Sequence, residues 1–165
     1  MPSLPLPSVA VIESADSYLD SALILTRESR TNLELFRPAC VLAALAIEIY
    51  LKAFTAKDQS VAIAEMNGIT IYGGALGTAH GHPLTKIFNN KISADWRKEI
   101  LDQSAAMNDG VDLVAGLAEY DEFFTTARYG HEADTVGVLR SDLIDLAVHV
   151  RDCCKALQPT AVQMD

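Results

Sequence analysis

The segment Ala43 to Phe54, AALAIEIYLKAF, reads as a helix that is apolar almost all round yet carries Glu48 and Lys52. Four residues apart on a helix, the two share a face with Val41, Ala44 and Leu45, and glutamate preceding lysine is the favourable order for an ion pair. An exposed pair of this kind contributes only about 0.5 kcal/mol. If the stripe is buried, each charge instead needs a partner, because desolvating an unpaired ion costs several kcal/mol. Lysine can carry its amine to the rim of a core, whereas a short carboxylate cannot. A second charge lies far along the chain, where Leu113, Leu117, Tyr120 and Phe124 continue at helical spacing onto Arg128. A guanidinium there could fork onto the Glu48 carboxylate, or bond the last carbonyls of its own helix with Gly130 ending it.

The histidines offer other chemistry. His80 and His82 in TAHGHPL have the close spacing of metal-binding imidazoles, but His82 directly before Pro83 is more simply a residue that bonds backbone groups freed at a helix start, and no metal site is assigned. His131, Glu132 and Asp134 sit too close in sequence to converge and read as a solvated loop. Three cysteines, Cys40, Cys153 and Cys154, have neither CxxC spacing nor an even count, so they signal no zinc site and no disulfide framework. GGALG lacks dinucleotide or Walker spacing, and no cofactor is implied.

The elements that must position these groups are mostly helices. Ile12, Ala15, Leu19, Leu23 and Thr26 mark an amphipathic helix from Ser8 to about Arg30. A second helix with Pro38 in its first turn runs to about Ala56. Asn67-Gly68 between two short segments predicts a tight hairpin over residues 60–73. Pro83 opens a short helix, with Leu84, Ile87 and Phe88 on one face, and Ser93 caps the next, ADWRKEILDQSAAM. One further helix is expected from Val111 to Ala127, and a last one from Leu139 to Leu157 with Leu143, Leu146, Val150, Cys153 and Leu157 as its stripe. The expectation is a single all-α domain over residues 1–165. It is an up-and-down antiparallel bundle of five to six helices with a small β-hairpin insertion, an extended leader over 1–7 and a tail over 158–165.

The order AALAIEIYLKAF, GHPLTKIF and ARYGHE, covering Pro38 to Glu132, resembles the HEPN group of helical-bundle proteins, in the branch with an E-x-x-L-K helix, a G-H-x-L helix start and a late Arg-Tyr. The resemblance implies an antiparallel bundle, a homodimer and a bacterial defence or toxin–antitoxin setting. Separately from the resemblance, a small-ligand or nucleotide site in the bundle crevice would fall on Glu48, Lys52, His82 and Tyr129, near Arg128. Many members of the group are ribonucleases in which a histidine follows an arginine by four to six residues. Carried over, those roles fall on Arg128 and His131, with the histidine moving a proton and the arginine stabilising phosphorane charge. The chain departs from that spacing, because only two residues separate Arg128 from His131.

Charge favours a different reading. The chain has a net charge of −9. Asp109 to Asp134 holds seven acidic residues, Asp109, Asp112, Glu119, Asp121, Glu122, Glu132 and Asp134, against the single base Arg128. A phosphate backbone meets that surface as a like charge, which disfavours RNA and nucleotides as partners. The N-terminal segment lacks the basic region of a signal peptide, and no apolar run reads as long enough to span a bilayer, so a cytoplasmic protein without membrane contact is expected. The leading reading is a homodimeric interaction or regulatory module with a protein partner and no catalysis of its own. The alternatives are a metal-independent endoribonuclease using Arg128 and His131, or a small-ligand or nucleotide site in the crevice.

Overall fold

The computed structural model describes residues 5–74, 76–127 and 140–159, and these are mostly helical with a small β element. Helix α1 (Val9–Glu28) buries Ile12, Ala15 and Leu19 of the expected stripe, together with Val11 and Ala22, while Leu23 and Thr26 are only partly buried. It packs along α2 (Phe36–Lys52), which also touches the last helix and so lies at the centre of the core. Ala39, Ala43 and Ala46 of α2 are fully buried, as are Ala15 and Ala22 of α1. Side chains this small let neighbouring helices approach closely. At the end of α2, the fully buried Tyr50 donates its hydroxyl to Asp16 Oδ1 at 2.5 Å. Asp16 Oδ2 in turn takes Lys155 Nζ at 3.0 Å, so one carboxylate ties three segments of the core. Burial, then the hydrogen bond to Asp16, pushes the Tyr50 phenol well above its ordinary pKa.

The continuous helical segment Leu33–Thr55, which contains α2, is 23 residues long and holds an 18-residue window of mean hydropathy 1.5. By length and composition alone it could cross a membrane, contrary to the sequence expectation. The reason is that Glu48 and Lys52 interrupt the run without lowering its average enough. In the structure, 67% of that window is buried, as befits a core helix.

After a 3₁₀ turn at Ala53–Thr55 the chain forms β1 (Lys57–Asp58), β2 (Val61–Met66), β3 (Ile69–Gly73) and β4 (Leu76–Gly77). Strands β2 and β3 pair antiparallel with Met66 opposite Ile69, leaving Asn67 and Gly68 as a two-residue turn. Both turn residues have positive φ, 53° and 76°, as a type I′ turn requires. A second ladder, unforeseen in the sequence, pairs Lys57 with Gly77 and Asp58 with Leu76 at the foot of the hairpin.

The chain then makes α3 (Leu84–Lys86), which continues as a π-helical turn over Ile87–Lys91, and α4 (Ala94–Met107), whose N-cap Ser93 Oγ accepts from Trp96 N–H at 3.3 Å. The single helix expected over Val111–Ala127 is instead two, α5 (Leu113–Glu119) and α6 (Phe123–Ala127). The break has a use. Asp121, between them, accepts from Leu84 N–H through its carbonyl at 3.1 Å and from Thr85 N–H through Oδ1 at 2.6 Å, so it caps α3 from a distance. The last helix is α7 (Asp142–Ala156), which buries Leu143, Leu146, Val150 and Cys153 of the expected stripe, while Leu157, just past its end, is only partly buried. It lies so close to α5 that a Cβ on Gly116 would stand 2.8 Å from Leu146 Cδ1. Cys40, Cys153 and Cys154 are free and buried, and desolvation pushes the Cys40 and Cys153 thiols up to about 11.

Candidate functional site

Glu48 is the most deeply buried carboxylate among the described residues, 3% exposed. Its position follows from α2 being wrapped on several sides, since any residue on that face is in the core whatever its charge. Lys52, one turn on, reaches back with Nζ 2.7 Å from Glu48 Oε1. The lysine side chain is 15% exposed against 4% for the carboxylate, consistent with an amine carried toward the rim.

The second partner comes from the loop before α3. His82 Nδ1 lies 3.2 Å from Glu48 Oε1 and 3.1 Å from Oε2, so one ring N–H is shared between both oxygens of the carboxylate. Gly81, with φ of 107°, gives the loop a backbone conformation that side-chain-bearing residues rarely adopt, just before His82. Its ring stands 5.7 Å from that of Phe124 on α6, tilted by 43°. The histidine side chain is 48% exposed.

Three of the four crevice positions singled out in the sequence, Glu48, Lys52 and His82, therefore come together. The fourth, Tyr129, and the pair Arg128 and His131 lie outside the described residues. The route by which Arg128 was to reach Glu48, one unbroken helical stripe, is interrupted at Tyr120–Glu122. The close pairing of His80 with His82 does not produce a shared site, because His82 turns to Glu48 while His80 lines a different crevice. No cluster of three metal-ligating side chains occurs among the described residues.

Chemically, a buried carboxylate that fixes Nδ1–H of an exposed imidazole leaves Nε2 as the basic nitrogen and orients the ring. Such a couple can hold a ligand hydroxyl or move a proton. The described trio adds no nucleophile to it.

A second polar relay, missed in the sequence, joins α4 to α7. His149 is fully buried, with Nε2 2.7 Å from Ser104 Oγ and Nδ1 2.7 Å from Asp109 Oδ2. Asp109 also accepts from Val111 N–H, closing the turn between α4 and α5. The hydrogen bond from His149, its largest influence, holds the Asp109 carboxyl below its ordinary pKa. The sequence signal was faint, a histidine on the buried stripe of a helix and Asp-Gly just after a helix end. Next to this relay, a crevice of about 550 Å³ is lined by Asp109, Asp112, Glu119, Asp142 and Asp145. Arg140 partly neutralises its rim, at 2.9 Å from Glu119 and 2.5 Å from Asp142. A phosphate approaching this lining would meet like charge.

Compared with protein-family models, curated proteins and solved structures, the chain has no match.

Proposed function

We propose that this chain is a self-associating interaction module of the HEPN-like kind, built as an antiparallel up-and-down bundle and serving as a regulatory component of a bacterial defence or toxin–antitoxin system without catalysis of its own. The observation that carries the self-association is the hairpin. On β2 and β3 the register sets Met66 opposite Ile69 and Ala64 opposite Ile71, so these four share one face, while Glu65 and Thr70 share the other. The apolar face is bare, with Met66 64% and Ile69 68% exposed. A two-stranded hairpin on which no described residue packs is marginal in water, and a contiguous exposed apolar face marks a surface that something covers.

The occupant we assign is a second copy of the same hairpin. The face is uncharged and apolar throughout, so it is complementary to itself, and a two-fold axis through it makes an isologous contact. Support for the family reading is that the E-x-x-L-K and G-H-x-L motifs, 30 residues apart and more, meet at one carboxylate through Glu48, Lys52 and His82. In that reading, the Glu48 cluster holds the fold of the bundle and the hairpin holds the partner.

Replacing Ile69 with lysine tests the proposal. The substitution puts a charge into the centre of the apolar face and leaves the helices untouched. Light scattering at micromolar concentration is expected to give about twice the 17.8 kDa chain mass for the wild type and a single chain for Ile69→Lys. A wild type that runs as one chain, or a variant that still pairs, removes the hairpin from the interface.

A further inference from the structure

At the hairpin's foot, a crevice of about 580 Å³ is lined by the 3₁₀ turn after α2, the β1–β4 ladder and the start of α4. Its lining runs against the charge of the molecule. Among the described residues Lys57, Lys91 and His80 line it and no carboxylate does, in a chain with 22 acidic and 13 basic residues. Among the described residues neither lysine forms an ion pair, whereas Lys52, Lys98 and Lys155 all do. One wall is aromatic: Trp96, half-buried, stands 5.4 Å from Phe54 at a tilt of 57°. Thr78 and Gln59 add neutral hydrogen-bonding groups. The volume lies within the range of small-molecule sites, which combine an apolar wall with a few convergent polar groups.

We propose that this crevice binds a small aromatic phosphomonoester, with its ring against Trp96 and its phosphate between Lys57 and Lys91. Two ammonium groups without carboxylate partners match an anion that carries close to two charges, as a phosphomonoester does near neutral pH. A monocarboxylate would leave one of them uncompensated. Lysine serves as a point charge for phosphate and does not need the forked geometry of arginine. The lysines come from separate elements, Lys57 from β1 and Lys91 from the end of the π-helical turn, and both line the crevice. The acidic crevice beside α5 and α7 would meet the same ligand as a like charge, so the two crevices differ in the sign of their lining.

Trp96 is the only tryptophan of the chain, so its fluorescence reports on this wall alone. Titration of the full chain with phenyl phosphate is expected to change that fluorescence saturably, with inorganic phosphate binding about tenfold more weakly because it lacks the ring. Lys57→Gln and Lys91→Gln are each expected to weaken phenyl phosphate by about tenfold, the loss of one charge-assisted contact. Both lysines are exposed, so helix content measured by circular dichroism is expected to be unchanged in the variants. No saturable response to phenyl phosphate overturns the proposal. Equal affinity for inorganic phosphate removes the aromatic part, and unchanged affinity in the double variant removes the phosphate part.

Discussion

Lys52→Met is expected to destabilise the protein by about 3 kcal/mol, more than Glu48→Gln does. Breaking a buried pair by removing one partner costs about 3–5 kcal/mol when the other charge is left stranded. Here the two partners are unequally stranded. Without Lys52, the Glu48 carboxylate stays 4% exposed, and among the described residues the single N–H of His82 is what remains to replace the lost charge. With Glu48 neutralised as glutamine, Lys52 and His82 still have a carbonyl oxygen nearby and their own exposure to water, 15% and 48%. For a chain of this size, about 3 kcal/mol lowers the melting temperature by roughly 10 °C. Thermal melts of the two variants check both the size and the order. A Glu48→Gln variant that melts below Lys52→Met would show that the carboxylate, and not its cation, is what the core depends on.

His149→Leu is expected to cost a similar amount, about 3 kcal/mol, although leucine suits a buried helix face. The ring loses two hydrogen bonds, one of them to a carboxylate, and bonds to charged groups are worth about 1.5–3 kcal/mol each. It also leaves Ser104 without its buried partner. In the neutral ring, Nδ1–H donates to Asp109 and Nε2 accepts from the Ser104 hydroxyl, so α4, the turn after it and α7 are joined through one side chain. Asp109 adds a pH signature. A carboxyl held below its ordinary pKa in the folded state stabilises the fold above about pH 4, and that contribution is lost as the pH falls through the lower folded value. Asp109→Asn removes this part of the acid limb, and urea midpoints compared at neutral and acid pH measure it. Parallel acid limbs in the two proteins would mean that the His149 bond has no ionic component.

The residue pattern made the helical content and the hairpin legible because both rest on local rules. Periodic apolar positions marked α1 and α7, Pro38 and a nearly all-apolar run marked α2, Ser93 marked the start of α4, and Asn67-Gly68 fixed a two-residue turn. The break between α5 and α6 was not legible, since its cause is Asp121 capping α3 some 36 residues away in sequence, and a local pattern cannot see a distant free N–H. The Glu48–Lys52 pair followed from i,i+4 spacing, and the need for a further partner followed from burial. The identity of that partner among the described residues, His82, did not, because the glycine-bearing loop before α3 sets where the imidazole points. His149 was hidden for the opposite reason. It sits on the buried face of α7, where its ring resembles any other core side chain until Ser104 and Asp109 are brought to its two nitrogens.

The claim that a second copy covers the hairpin is tested most directly by hydrogen exchange of the β2 and β3 amides at two protein concentrations, one well above and one well below the association midpoint. A lone hairpin of this kind opens readily and exchanges fast, while a face packed on its own copy is held closed. The account predicts that the amides of residues 61–73 become at least tenfold more protected at the higher concentration while those of α2 do not change. Hairpin amides that exchange at the same rate at both concentrations, in a protein shown by mass to be associated, would place the interface elsewhere and contradict it.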